Sequence, residues 1–524
     1  MSLAWCDGTI VGLAKTMEKA QVVAPVASGQ EAPSQRSFAH RWFTFPAAIC
    51  FLLFLVVFFH GTTGKITEPD FWWHLRNADH LLTTHSFPNF DQYSFTAAGA
   101  RWIDHEWLSE LCYYAAFQSS GLRGVFGLFS VLSAAIFAGL YYRCRMEGAN
   151  PKTASIVILL GILAASVSFG PRALLFGWLA LTILLIVLER FASTRSAPLW
   201  IIPPLFCLWI NLHGSWIFGV AVLGAFIVSG MLQGEWGAVS AVRFSAGELK
   251  RLFAVAGAAV AALFLNPFGY RLVAYPFDLM FRQQTNLNHI DEWQSVDFHE
   301  LRGKIALLML LAIMASMVAS RRRWKLHEVL LGAFALYASL TYWRMQFFAA
   351  IIFVPLIATR LRLFPDYDPR KEKPLLNAAI ILGVMGMILA QFPSEAKLHA
   401  QIQQNYPEAA LAFMRERHIS DRVFDEYTWG GYMIWHAPEI KTFIDGRADL
   451  FVYSGVFDDY VQIIRLNGTL DLLNRYRIRH ALLGRNTPLA YLLGHTACWQ
   501  EIYSDKIAAV YERNLAVAGC GAEP

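Results

Sequence analysis

Two short stretches of this sequence hold carboxylates and imidazoles at spacings that suit chemistry on a hydroxyl or a phosphate. The first is Glu68-Pro69-Asp70. Side chains two residues apart diverge on a helix, but in an extended turn broken by Pro69 both carboxylates converge on one cation or hydroxyl. Alternatively, Pro69 opens a helix at its first position, and Glu68 and Asp70 favour the positive end of its dipole. Phe71, Trp72, Trp73 and Leu75 then form the apolar face of a helix lying in a membrane interface, which makes Trp72 and Trp73 candidates for substrate contact. The second stretch is Asp104-His105-Glu106. Three adjacent residues cannot all aim at one ion from a regular helix, so a metal there needs a partner from another loop, with Glu68, Asp70 or His213 available. Asp70, Glu68 and Glu106 are accordingly the candidate acid or base residues. His105 and His213 are the candidate substrate contacts.

Two arginines complete the set. Arg172, in Gly170-Pro171-Arg172, and Arg344, in Trp343-Arg344, are each the lone charge in a very short connection between apolar segments. A charge at that level is costly unless paired or used. Each serves either as a snorkelling topology anchor or as a clamp for a lipid phosphate, which the planar guanidinium suits. His213 in Asn211-Leu212-His213-Gly214 also fits a capping role at a tight turn, and Asn266-Pro267-Phe268-Gly269 reads as a turn ending a helix.

The elements that must hold these residues are set by composition. Of 524 residues, 56% are hydrophobic and 16% charged, with 17 Trp and 39 Phe. An average soluble domain carries about a quarter charged residues, so something other than water solvates much of this chain. Crossing a bilayer core takes about 20 mostly apolar residues. Eleven stretches qualify, near 42–61, 124–142, 153–170, 173–189, 197–212, 214–232, 252–266, 304–320, 327–342, 345–361 and 374–392. Pro203 and Pro204 make the fifth a candidate broken or re-entrant segment. Seventeen Lys and Arg fall in one set of connecting loops and ten in the other, even when the long first loop is counted. The positive-inside rule therefore places the N-terminus in the cytoplasm and the last segment outside, in a multi-pass protein of the inner or plasma membrane. The net charge of +5 is spread over short gaps and forms no stripe for nucleic acid.

The predicted layout is a disordered cytoplasmic N-terminus (1–41), a membrane domain (42–392) with a large first outer loop (62–123), and a small extracytoplasmic α/β domain (393–524). In that last domain, strands at Arg422 to Phe424, Thr442 to Ile444 and His480 to Leu483 alternate with helices over 406–418, 429–436 and 469–476. Asp445-Gly446-Arg447 directly follows a predicted strand and reads either as a sharp turn presenting both charges to a ligand or as a surface turn with a local ion pair. Of the seven cysteines, Cys498 and Cys520 are the pair that an oxidising compartment would join.

Together, the acidic pair opening a large first outer loop, the interfacial aromatics, about eleven spans and the external C-terminal domain resemble the GT-C superfamily of membrane glycosyltransferases. That group includes protein mannosyltransferases, aminoarabinose transferases and the catalytic subunit of oligosaccharyltransferase. Glu68-Pro69-Asp70 resembles their modified Asp-x-Asp motif. Tyr427-Thr428-Trp429-Gly430-Gly431-Tyr432 is loosely similar to Trp-Trp-Asp-Tyr-Gly, without its Trp pair and Asp. The resemblance implies transfer of a sugar from a polyprenyl-phosphate-linked donor to a glycan, lipid or protein acceptor at the outer face, among membrane lipids. It further implies Asp70 or Glu68 as base or as ligand of a divalent cation (Mg or Mn), with Arg172 or Arg344 on the donor phosphate. A transporter and a non-catalytic scaffold with an external binding domain are the rivals. Against the transporter stand the absence of an internal repeat and the gathering of polar groups at one rim.

Overall fold

Backbone in hydrocarbon has no water to bond with, so apolar runs of this length close their own hydrogen bonds as helices. Each of the eleven stretches falls on a helix in the computed structural model, which describes residues 43–63, 68–282 and 290–515. The helices up to the last of these stretches are α1 (Phe45–Thr63), α2 (Phe71–Thr84), α3 (Trp107–Met146), α4 (Pro151–Ala165), α5 (Leu174–Thr194), α6 (Ile202–Leu212), α7 (Trp216–Met231), α8 (Ala246–Ala262), α9 (Tyr270–Arg282), α10 (Leu301–Ala319), α11 (Leu326–Thr341), α12 (Gln346–Ala358) and α13 (Pro374–Gln391). Among the described residues, α3, α5, α10 and α13 are long and apolar enough to cross a membrane, and six further apolar helices have 10–17 residues. The expected N-terminal segment, 1–41, and Cys520 lie outside the described residues.

Every residue of α12 is buried, as a helix apolar on all sides must be, and it packs against α4 and α11 at the centre. In contrast, only 17% of the most apolar stretch of α13 and 28% of that of α10 is buried, which puts both at the periphery. Pro203 and Pro204 do not break the fifth stretch. They occupy the first turn of α6, where a missing N–H costs nothing, after a single 3₁₀ turn at Leu199–Ile201.

The helix α3 is two helices in series. Ser120 (φ −156°, ψ 23°) and Gly121 (φ 63°, ψ −145°) leave the helical region, and Gly121 supplies the positive φ that the bend needs. The carboxylate of Glu395 then accepts the backbone N–H groups of Leu122 and Arg123 at 3.0 and 3.1 Å, capping the second half. The first half, from Trp107, packs beside α2.

The C-terminal part comprises α14 (Glu395–Gln403), α15 (Glu408–Glu416), α16 (Tyr427–His436), α17 (Ala448–Ser454), α18 (Val456–Ile464), α19 (Thr469–Arg475) and α20 (Pro488–Gly494) around a four-stranded sheet. Numbering the strands along the chain, β1 (Gly234–Trp236), β2 (Val239–Ala241) and β3 (Trp324–Lys325) form a small sheet between helices of the membrane domain. The C-terminal sheet contains β4 (Val423–Asp425), β5 (His480–Gly484), β6 (Trp499–Ser504) and β7 (Ala508–Arg513) in the order β4-β5-β7-β6, with β4 and β5 parallel and the other pairs antiparallel. Thr442 to Ile444, expected as a strand, makes instead an isolated bridge from Thr442 to Ser94 of the first long loop.

That bridge belongs to an extensive docking surface. Phe95 N–H donates to Thr442 O (3.1 Å) and Thr442 N–H to Tyr93 O (3.2 Å). Arg447 pairs with Asp445 through two nitrogens (2.8 and 2.6 Å) and with Asp91 of the loop at 2.7 Å, and lies over the rings of Tyr93 and Trp102. All three charged groups are buried, so the expected surface turn is in fact a desolvated joint between the C-terminal part and the first long loop.

Candidate functional site

The site is built on two helix starts. The first helix, α2, begins after Asp70, which holds the N-cap position, so Pro69 lies one residue outside the helix. Asp70 does not cap the helix with its side chain. Its Oδ1 instead accepts the indole N–H of Trp73 at 3.0 Å. Asp70, Trp73, His74 and Asn77 share one helical face at spacings of three and four. Glu106 precedes α3, and Glu110 lies one turn on, so both present carboxylates to that face.

Between them, His74 Nδ1 is 2.7 Å from Glu110 Oε1 and Nε2 is 3.5 Å from Glu106 Oε2. Two more imidazoles face Glu106 Oε1, His213 Nε2 at 3.2 Å and His105 Nε2 at 3.6 Å. His213 Nδ1 accepts the backbone N–H of Ser215 at 2.9 Å, so in neutral His213 the proton sits on Nε2 and points at Glu106. The turn role and the site role of His213 are thus one arrangement. His105 stacks on Tyr275 of α9, 4.3 Å between ring centroids.

Glu68 takes a different part. Its carboxylate is bound by Arg172 Nε, and Arg172 Nη1 reaches Glu292 at 2.6 Å. Arg172 is therefore shared between two carboxylates. Arg344 makes no hydrogen bond or ion pair through its guanidinium among the described residues, and lies over the Trp293 ring, 4.5 Å from its centroid. Glu292, Glu106 and Glu68 are in its electrostatic neighbourhood.

Burial tunes these groups. It pushes Asp70 up to about 7, assisted by Glu68. Burial and then Asp70 push Glu106 up to about 8. Burial pulls His74 down to about 3 and His105 to about 4, and holds His213 well below the usual imidazole range. Near neutral pH the imidazoles are uncharged, and both carboxyls are held far above the usual carboxylate range.

The two carboxylates that the resemblance offers to a divalent cation are engaged by protein partners in this arrangement. Glu68 is committed to Arg172 and one oxygen of Asp70 to Trp73, and the described residues contain no group of three His, Cys, Asp or Glu able to hold a metal ion. The aromatic residues also lie elsewhere than expected. Trp72 is 2% exposed, its ring against Tyr432 and His436 of α16, and Trp73 is 4% exposed against Trp102. Both join α2 to the protein rather than to lipid.

Four contributors escaped sequence reasoning: His74, Glu110, Glu292 and Gly446. His74 and Glu110 follow Asp70 and Glu106 by four residues, and that spacing is the signal that could have found them. Gly446 is visible only in space. A Cβ there would lie 1.7 Å from Asp70 Oδ1, and one on Gly431 would lie 2.3 Å from Pro69 O, so the C-terminal part forms the wall behind Glu68-Pro69-Asp70.

No protein-family model matches the chain, and no curated protein does. Solved structures match in shape. The oligosaccharyltransferase of Archaeoglobus fulgidus, tethered with an acceptor peptide containing the NVT sequon, aligns with a TM-score of 0.50 at 13% identity over 83% of this chain and 69% of its own. The archaeal oligosaccharyltransferase of the same organism, in complex with an inhibitory peptide and a dolichol-phosphate, aligns at 0.48 and 12% identity over the same shares. Identity this low speaks for fold alone: this chain shares the fold of the Archaeoglobus fulgidus oligosaccharyltransferase.

Proposed function

We propose that this protein is a glycosyltransferase that moves a sugar from a polyprenyl-phosphate-linked donor to a glycan, lipid or protein acceptor. The observation that carries the reading is the meeting, at one rim, of Asp70 and Glu106 with an Arg344 guanidinium that has no anionic partner among the described residues. In this reading the rim faces the extracytoplasmic side of the inner or plasma membrane, the N-terminus is cytoplasmic, and the C-terminal part lies outside, as the Lys and Arg bias supports.

Chemically, the acceptor oxygen attacks the anomeric carbon while the bond from that carbon to the phosphate oxygen breaks. Asp70, fixed by the Trp73 indole, orients the acceptor hydroxyl and stabilises positive charge developing on the sugar. Glu106 takes the hydroxyl proton, and a carboxylate with a pKa near 8 is well matched to that task near neutral pH. Arg344 offers two parallel N–H donors to the departing phosphate, and Trp293 beneath it holds the guanidinium plane. Arg172 braces the rim by fixing Glu68 and Glu292.

The test is to incubate the purified full-length protein with radiolabelled polyprenyl-phosphate sugars and an extract of its native membranes. Transfer of label to an acceptor supports the reading. No transfer from any donor of that class, by protein shown to be folded, overturns it.

A further inference from the structure

The carboxylate that takes the acceptor proton does not stand alone. Behind Glu106, away from Arg344, lies a line of buried groups that the proposed transfer leaves unused. His74 bridges Glu106 and Glu110 through its two ring nitrogens, 3.5 and 2.7 Å away. Glu110 also accepts the amide of Asn77 at 3.2 Å, and the Tyr93 hydroxyl fixes that amide by donating to Asn77 Oδ1 at 3.0 Å. The line ends at Asp104, 1% exposed, which faces the Glu110 carboxyl and has the backbone N–H of Glu106 beside it.

Two buried carboxylates that face each other with no cation between them cannot both ionise, so the pair retains a proton. Glu110, with the His74 and Asn77 side chains as donors, is the better anion, and Asp104, with neither, is the better acid. Burial and then Glu110 hold Asp104 well above the usual carboxylate range, in keeping with this division.

We propose that Glu106, His74, Glu110 and Asp104 form a proton relay that carries the acceptor's proton from the reacting centre into the Asp104–Glu110 pair. The idea rests on the glycosyl-transfer reading for the source of the proton. The acceptor O–H proton passes to Glu106. Glu106 then gives a proton to His74 Nε2 as the Nδ1 proton of His74 moves to Glu110 Oε1. His74 ends neutral with its proton on the other nitrogen, and the pair goes from one proton to two. Loss of one proton to water and return of His74 to its first tautomer reset the line. The charged and titratable groups facing it are His105 and His213 beside Glu106, Asp70 and Glu68 from the start of α2, and Arg344 across the rim. Here His74, Glu110 and Asp104 are positioning residues that act through Glu106.

Two measurements test it on the full-length protein. Infrared spectroscopy at pH 9, where Asp70 and Glu106 are ionised, is expected to retain a protonated-carboxyl band that shifts in D₂O and disappears in Asp104→Asn. A spectrum unchanged by Asp104→Asn overturns the shared proton, whatever reaction the protein performs. In the transfer assay, His74→Ala is expected to lose about tenfold or more in rate and to regain it with added imidazole, increasingly as pH rises. Parental rate in His74→Ala, or a folded variant that imidazole cannot rescue, overturns the relay. Absence of transfer by the parent protein overturns the glycosyl-transfer reading instead, and the infrared result still decides the carboxyl pair.

Discussion

Replacing Gly446 with alanine puts a methyl group where Asp70 already is. The new Cβ would sit 1.7 Å from Asp70 Oδ1, 2.9 Å from its Cγ and 3.1 Å from Trp73 Nε1. Asp70 is too short to yield by bending its far end, so either its χ1 rotates or the two backbones part. Rotation gives up the Trp73 hydrogen bond, and bonds to charged groups contribute about 1.5–3 kcal/mol. Parting the backbones is overpacking, at about 1–3 kcal/mol. Gly446→Ala should therefore destabilise the protein by about 1–3 kcal/mol and displace the one carboxylate that the proposed chemistry most needs fixed. Gly383 is the control. A Cβ there meets nothing within 4 Å, and alanine in a helix is worth up to about 1 kcal/mol over glycine. Thermal unfolding of both variants in detergent, with sugar transfer measured on the folded fraction, makes the comparison. A Gly446→Ala protein that melts and works like the parent would refute the close packing of the C-terminal part behind Asp70.

Other consequences follow from the same geometry. Arg172→Gln strands Glu68 and Glu292 and should cost about 3–5 kcal/mol in a melt, whereas adding Glu68→Gln and Glu292→Gln should recover much of it. Arg344→Lys keeps the charge but loses the fork. The donor KM should rise with thermal stability unchanged, and equal KM values would leave Arg344 as an anchor. Activity and stability should move in opposite directions with pH. Transfer needs ionised carboxylates and should rise through pH 7 to 8. Asp70 and Glu106 have folded pKa values raised above their unfolded ones, so the stability they contribute is full below about pH 4 and is lost as pH rises through 7 to 8. Melting temperature and rate recorded across pH 5–9 check both signs.

The helices were legible because apolar runs of this length leave the backbone one solution. The two aromatic residues after Asp70 misled for a physical reason. An apolar helix face looks the same whether it meets lipid or protein, and here α16 of the C-terminal part covers it. Thr442 to Ile444 has strand composition but finds its partner in Ser94, some 350 residues earlier, which no local pattern reveals. β6 and β7 went unseen because each mixes polar and apolar residues without clean alternation: Trp499 is buried while Glu501 and Gln500 are exposed, and β7 is buried at every residue but one. The site divided along the same line. Asp70, Glu106, His105, His213 and Arg344 were conspicuous as costly residues at helix ends. The pairing of Arg172 with both Glu68 and Glu292 joins three separate loops, and chain order holds no trace of it.

The central claim is that Asp70 carries the chemistry of this rim, and Asp70→Asn addresses it directly because it keeps the volume and removes the charge. The carboxylate is held raised by burial, so the amide should leave the fold intact and the melt at neutral pH close to that of the parent. Loss of a catalytic carboxylate commonly costs a factor of about 10² to 10⁴ in rate. The account predicts a folded Asp70→Asn protein whose transfer from polyprenyl-linked sugars falls by that factor; a folded variant that transfers at the parental rate would contradict it.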